Sequence, residues 1–396
     1  MHDEHMKCLK WLGLDGTAST KLIKNEKGYG IAAKKNLKKG TVIAAINNSH
    51  IITYQKALHS KLGQKIHAID GVTKEMLLWY YMCEEATING HFAIYLKNSL
   101  KSYDSCLLMW GESRLGDLAG TNLLQHVITT KEQLIIKYNI LMKAYPNPNI
   151  NEELFFWVYS IYVSRRYPHD LCKDESIGAI TTNQSQESNM SNLGIMVPFL
   201  DLINHNQEKE WLLLTPTPES LLIIINVDVK KGDEIYSNYG HILSNQKLLY
   251  TYGFAIPRNI HDSISVNLYN SSRDHVGTFE IRRGGIAGCS ADMWKVLHEL
   301  YGDNECRNVD VTEEVPIVHI ESCEILLEYI VNKYEQLLTL NPIAAECRNS
   351  TRKKKQKLND EDGRRTYIKY FIEGQLEVME DLLTDLNNIV EENVQN

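Results

Sequence analysis

The strongest constraint on the fold of this chain is a β pattern that begins, gives way to helical spacing, and then resumes. From Leu22 to Thr53 the runs are short and strand-like. Gly28-Tyr29-Gly30 leads into Ile31-Ala32-Ala33, and Lys38-Lys39-Gly40 turns into Thr41-Val42-Ile43-Ala44-Ala45-Ile46. Over about 54–158 apolar residues recur at helical intervals, as in Met76, Leu77, Tyr80 and Tyr81, or Leu154, Phe155, Trp157 and Val158. Strand-like runs return at Trp211 to Leu214 and Leu221 to Val227, and Lys230-Lys231-Gly232-Asp233 turns into Glu234-Ile235-Tyr236. The order predicts an α+β chain in which a helical insert interrupts a β-rich domain over 20–258.

The stretch from Thr181 to Asn192 is polar, so about 172–194 is expected to form a solvated loop. After Pro257 the spacing turns helical again, at Ile325, Leu326, Tyr329, Ile330 and Tyr334 and then from Tyr367 to Val390, which predicts an all-helical C-terminal domain over 259–396. Within it the basic run Arg352 to Lys357 is followed by Asp360, Glu361 and Asp362. That mixture reads as a solvated interhelix stretch, with a nuclear address as the other reading.

A length of 396 residues suits two or three domains. The 42 basic and 50 acidic side chains leave a net charge of −8, which gives no electrostatic reason to bind nucleic acid, so a protein or small-molecule partner is expected. The first residues lack a basic segment followed by an apolar one, and no run reaches the roughly 18 apolar residues of a membrane span, so an intracellular soluble protein with no membrane partner is expected. Eight cysteines occur without a C-x-x-C pair, which signals neither a metal cage nor a disulfide framework.

Three segments carry candidate chemistry, and each alone has an ordinary structural explanation. Gly28-Tyr29-Gly30 is followed by a strand and not a helix, so it lacks the helix N-terminus of a dinucleotide fingerprint. Asp201-Leu202-Ile203-Asn204-His205 ends an apolar run in polar groups that need partners. Tyr239-Gly240, Ser244-Asn245 and Tyr252-Gly253-Phe254 form the third.

In their order these segments, with Trp110 and Leu118 to Leu123, Phe156-Trp157 followed by Ser164-Arg165, and Tyr370 with Gly374-Gln375, span nearly the whole chain. Together they resemble the SET-domain methyltransferases of the Rubisco large-subunit methyltransferase type, which include fungal enzymes acting on ribosomal proteins and elongation factors. The resemblance implies a β-rich SET domain with a threaded, pseudoknot topology, an exception to the usual unknotted connection rules. It also implies a helical substrate-binding C-terminal domain, S-adenosyl-L-methionine as cofactor, and no metal. By the same resemblance Lys27, Gly28, Tyr29, Gly30, Arg165, Asn204 and His205 would contact the cofactor. Tyr239 would be the catalytic tyrosine, and Ser164, Arg165, Asp201, Tyr239 and Tyr252 would surround the substrate amine. The implied protein is a monomer in the cytoplasm or also the nucleus, whose partner is a non-histone protein, a ribosomal protein or elongation factor being favoured.

These residue types suit methyl transfer. A sulfonium is already an activated leaving group, so positioning is most of the work. A lysine amine, with an ordinary pKa near 10.4, has to be delivered neutral, and an apolar channel beside a positive charge does that. A histidine acceptor in the same fold, or a catalytically silent SET protein that binds a partner, stays open on sequence alone.

Overall fold

The computed structural model describes residues 2–25, 28–99, 106–172, 193–270, 272–301, 319–350 and 364–394. Lys27, the polar stretch from Thr181 to Asn192 and the basic run Arg352 to Lys357 lie outside the described residues. The chain divides into two compact units, Met1–Tyr103 with Thr130–His241 and Asp104–Thr129 with Ile242–Asn396.

In the first unit β1 (Thr20–Asn25) and β2 (Gly28–Ala33) form an antiparallel pair that turns where Asn25 faces Gly28. Gly28 sits at a φ of 107°, open to glycine at little cost, which lets the chain reverse there. Ile31, Ala32 and Ala33 are buried on both faces of the sheet. The strands β3 (Val42–Asn47), β7 (Leu212–Pro216) and β8 (Ser220–Ile225) make a separate antiparallel sheet in the order β3-β8-β7. Alternation on β8 buries Leu221, Ile223 and Ile225 completely. A short antiparallel pair joins β4 (Arg166–Pro168) to β5 (Gly194–Met196).

The resumed β pattern completes the first sheet. The two-residue strand β6 (Asn204–His205) lies parallel to β9 (Glu234–Ser237), and β9 pairs antiparallel with β2, giving the order β1-β2-β9-β6. Segments far apart in sequence, 28–33, 204–205 and 234–237, therefore meet side by side, as the interrupted pattern requires.

The region 54–158 is helical in several pieces. In the first unit the helix Lys74–Thr87 starts where the Thr73 hydroxyl accepts from the Met76 N–H, and the helix Glu152–Arg165 where Asn151 caps Leu154. Trp79 packs edge-on against Phe155, Tyr159 and Tyr162 of the second helix, and the Tyr80 hydroxyl donates to the Tyr145 carbonyl at 2.6 Å. Each buried apolar side chain contributes about 1.5–3 kcal/mol of transfer, so this contact holds the helix Lys74–Thr87 against the helix Glu152–Arg165. The end of the second helix delivers Ser164 and Arg165.

The second unit takes residues 104–129 from the middle of the chain. Leu118-Ala119-Gly120-Thr121-Asn122-Leu123 is architectural there. A Cβ on Gly120 would sit 3.1 Å from the Leu337 Cα, and Asn341 donates to the carbonyls of Asp117 and Ala119. The region 259–396 is helical over Ala291–Tyr301, Ile320–Leu340, Pro342–Ser350 and Arg364–Val394, but it is not all helix. It opens with a hairpin of β10 (Ser263–Tyr269) and β11 (His275–Arg282). The signal was a short alternation, Ile264, Val266 and Leu268 between polar neighbours, whose apolar side is buried.

A buried polar knot ties this unit together. The backbone N–H of Asn245 donates to Asp262 Oδ1 at 2.7 Å, and its side chain bridges Asp262 and the main chain of Ile256. Gln375 donates to the Ser263 carbonyl at 2.6 Å, and a side chain at Gly374 would overlap Asp262. Burial pushes the Asp262 carboxyl up to about 7, against the pull of the Asn245 donors and Arg283.

Candidate active site

The centre of the site is the place where β2, β6 and β9 meet. Asn204 on β6 donates through Nδ2 to the Tyr29 carbonyl of β2 at 3.2 Å and to Glu234 Oε1 of β9 at 2.6 Å. The other oxygen of Glu234 accepts from Asn25 Nδ2 at 2.8 Å and from the Tyr236 hydroxyl at 3.1 Å. Gly30 makes room for this arrangement. A Cβ there would overlap Glu234 Oε1 and lie 2.8 Å from Asn204 Nδ2, whereas glycine lets the two backbones and the two polar side chains close up. Tyr29 points its ring at His5, with centroids 4.3 Å apart.

Beside this lies the tyrosine. The Tyr239 N–H donates to His205 Nδ1 at 3.1 Å, so that nitrogen is an acceptor and the neutral ring carries its proton on Nε2. The Tyr239 ring leans over the imidazole at 5.1 Å, and its hydroxyl donates to the Ile203 carbonyl at 3.0 Å. A polar residue pair and a tyrosine 34 positions apart are thus locked by two hydrogen bonds and a ring contact. The turn that feeds β6 is strained: Phe199, buried and bulky, takes φ 78° and ψ −49°, close to the γ-turn region that costs non-glycine residues of order 1–3 kcal/mol. The 3-10 turn Leu200–Leu202 follows and aims the Ile203 carbonyl at Tyr239.

The third part is an ion pair. Arg165 Nη1 donates to the Asp201 carbonyl at 2.9 Å and to Asp201 Oδ2 at 3.2 Å, and the Tyr95 hydroxyl donates to the same oxygen at 2.9 Å. The Asp201 side chain is 2% exposed and that of Arg165 30%, so the carboxylate is the buried partner. Desolvation pushes the Asp201 carboxyl up, while Arg165 and Tyr95 pull it down. The guanidinium thereby clamps the end of the helix Glu152–Arg165 onto the turn before Asn204.

The first unit thus brings Gly28, Tyr29, Gly30, Ser164, Arg165, Asp201, Asn204, His205 and Tyr239 onto neighbouring elements. Ser164 turns its hydroxyl back to the Ile161 carbonyl at 3.2 Å, and one lone pair of the Asp201 carbonyl is taken by Arg165. Tyr252 belongs to the second unit, at the end of the helix Asn245–Tyr252, with its ring 6.2 Å from Phe254. Sequence reading missed Glu234, Ile203 and Tyr95. Glu234 stood in plain view inside a Gly-Asp-Glu turn, but only the pairing of β9 with β2 gives it a partner.

A profile of the SET domain matches residues 28–240. The N-lysine methyltransferase setd6 of Danio rerio is 25% identical over 307 residues, covering 73% of this chain and 62% of that protein. An actin-histidine N-methyltransferase of Danio rerio is 22% identical over 288 residues, covering 69% of this chain and 45% of that protein. The chain therefore spans less than two thirds of the length of either relative. A solved structure described as the SET domain of LSMT bound to lysine and AdoHcy superposes with a TM-score of 0.76 at 16% identity, covering 99% of this chain and 92% of that one. That likeness gives the fold.

Proposed function

The chain belongs to the SET-domain family, and from that premise we propose that it methylates a lysine side chain on a non-histone protein, using S-adenosyl-L-methionine. A ribosomal protein or elongation factor in the cytoplasm or nucleus is the favoured substrate. The observation that carries the reading is the coupling of Tyr239 to the Asn204-His205 strand through His205 Nδ1 and the Ile203 carbonyl. The residues at the sheet fit the cofactor. Gly30 lets Glu234 and Asn204 close up against β2, and Asn204 turns both amide hydrogens into the sheet, which leaves its oxygen to receive a donor. Gly28 to Gly30, Asn204 and His205 would hold the group, which supplies an activated methyl on a sulfonium.

The rest falls to the chain's own side chains. Tyr239 holds its hydroxyl against the Ile203 carbonyl, so the phenolic oxygen keeps its lone pairs for an incoming amine or methyl hydrogens. The Ser164 and Arg165 carbonyls at the end of the clamped helix give the amine further acceptors, fixing its lone pair in line. Desolvation in such a site favours the neutral amine.

The relative that acts on actin histidine supports a second reading, an imidazole acceptor in the same site. Incubating the protein with labelled S-adenosyl-L-methionine and a cell extract, then mapping the label by mass spectrometry, separates the two. Label on lysine supports the proposal, label on histidine supports the second reading, and no label on any protein overturns both.

A further inference from the structure

Glu234 is the group on which the four-stranded sheet converges. Its carboxylate takes three donors from three strands: Asn204 Nδ2 of β6 at 2.6 Å, Asn25 Nδ2 of β1 at 2.8 Å and the Tyr236 hydroxyl of β9 at 3.1 Å. Gly30 of β2 closes the fourth side, since any Cβ there would overlap the carboxylate. A carboxylate is an acceptor at both oxygens, whereas an amide is a donor on one side and an acceptor on the other. Glu234 and the Tyr29 carbonyl, both acceptors, together dictate which way the Asn204 amide faces. With one N–H on Glu234 and the other on the Tyr29 carbonyl, Nδ2 has no hydrogen left, and Oδ1 is the atom presented away from the sheet.

We infer that Glu234 is a positioning residue for the cofactor: it locks Asn204 with its oxygen outward, as an acceptor for the protonated α-amino group at the amino-acid end of S-adenosyl-L-methionine. This rests on the function proposed above. An amide turned the other way would offer N–H groups to an ammonium, a donor facing a donor. Glutamine at 234 loosens that lock, because its NH2 can be satisfied by the Asn204 oxygen and only the Tyr29 carbonyl is left to oppose the reversed amide.

The test is a double-mutant cycle read by calorimetry with S-adenosyl-L-methionine on the wild type, Glu234→Gln, Asn204→Ala and the double variant. Glu234→Gln is expected to weaken binding roughly tenfold or more, the size expected for a charge-assisted hydrogen bond. Because Glu234 acts through Asn204, adding it to Asn204→Ala is expected to weaken binding less than about twofold further, well below the additive value. 5′-Methylthioadenosine, which lacks the amino-acid end, is expected to bind wild type and Glu234→Gln alike. Additive losses in the cycle, or an equal loss of both ligands, would overturn the inference. Should Glu234→Gln not fold, Glu234→Asp, which retracts the carboxylate by one methylene, enters the same cycle with the same expectations. A wild-type protein that binds 5′-methylthioadenosine but not S-adenosyl-L-methionine overturns the inference, and one that binds neither overturns the function itself.

Discussion

Gly30→Ala is the substitution whose effect follows most directly from geometry. Gly30 does not have a positive φ, so alanine meets no backbone penalty. The whole effect comes from what the new methyl touches. It overlaps Glu234 Oε1, comes 3.2 Å from Glu234 Cδ and 2.8 Å from Asn204 Nδ2. The carboxylate cannot simply swing away, because Asn25 and Tyr236 hold its other oxygen. Relief therefore breaks the Asn204 to Glu234 bond, worth about 1.5–3 kcal/mol for a charged acceptor, or spreads β2 from β9 at an overpacking cost of about 1–3 kcal/mol. The reduced freedom of the unfolded chain returns about 0.4–1 kcal/mol. The net expectation is a loss of about 0.5–2.5 kcal/mol, with S-adenosyl-L-methionine binding weakened at least tenfold. Urea unfolding measures the first and calorimetry the second, against Gly16→Ala, where an added methyl meets nothing within 4 Å. If Gly30→Ala matches wild type in both stability and cofactor affinity, the packing of Gly30 against Glu234 and Asn204 does not organise the site.

Tyr239→Phe removes the hydroxyl but keeps the ring over His205 and the backbone bond to Nδ1. Single-turnover assays are expected to show methyl transfer slowed by about 10²-fold with cofactor affinity within twofold of wild type, and undiminished transfer would refute the assigned role. Asp262 supplies a pH signature in the second unit. Its carboxyl is raised from 3.8 to about 7 in the folded state, so between those values the folded chain holds a proton that the unfolded chain has released. Its contribution to stability is complete below pH 4 and is lost as the pH rises through 7. Urea unfolding at pH 5 and 8 is expected to show wild type losing stability relative to Asp262→Asn over that interval, and an opposite difference would contradict the assignment.

The parts of the fold that sequence made legible are those with local periodicity. The Gly28 to Ala33 strand, the helical spacing of Leu154, Phe155, Trp157 and Val158, and the interruption between the two β segments all follow from spacing and turn residues, whereas the end of that helix at Arg165 does not. The hairpin β10–β11 escaped because seven residues of alternation, Ser263 to Tyr269, stood among longer helical signals. In the site, Asn204 and His205 drew notice as polar groups at the end of an apolar run, and Tyr239 through the family resemblance. Glu234 and Ile203 did not. The role of Glu234 comes from three donors on three strands, and that of Ile203 from a main-chain carbonyl, for which the side chain carries no information. Asn245, from a segment of candidate chemistry, and Gly374 and Gln375, from the family resemblance, build the Asp262 knot, where buried amides satisfy main-chain groups.

The central claim is that the sheet junction at Asn204 binds S-adenosyl-L-methionine. Calorimetric titration of that cofactor into the wild type and Asn204→Ala tests it most directly. One molecule bound per chain, with affinity at least tenfold weaker in the variant at a temperature where both proteins remain folded, is the result expected. No heat of binding to the wild type, or equal binding to both proteins, would contradict it.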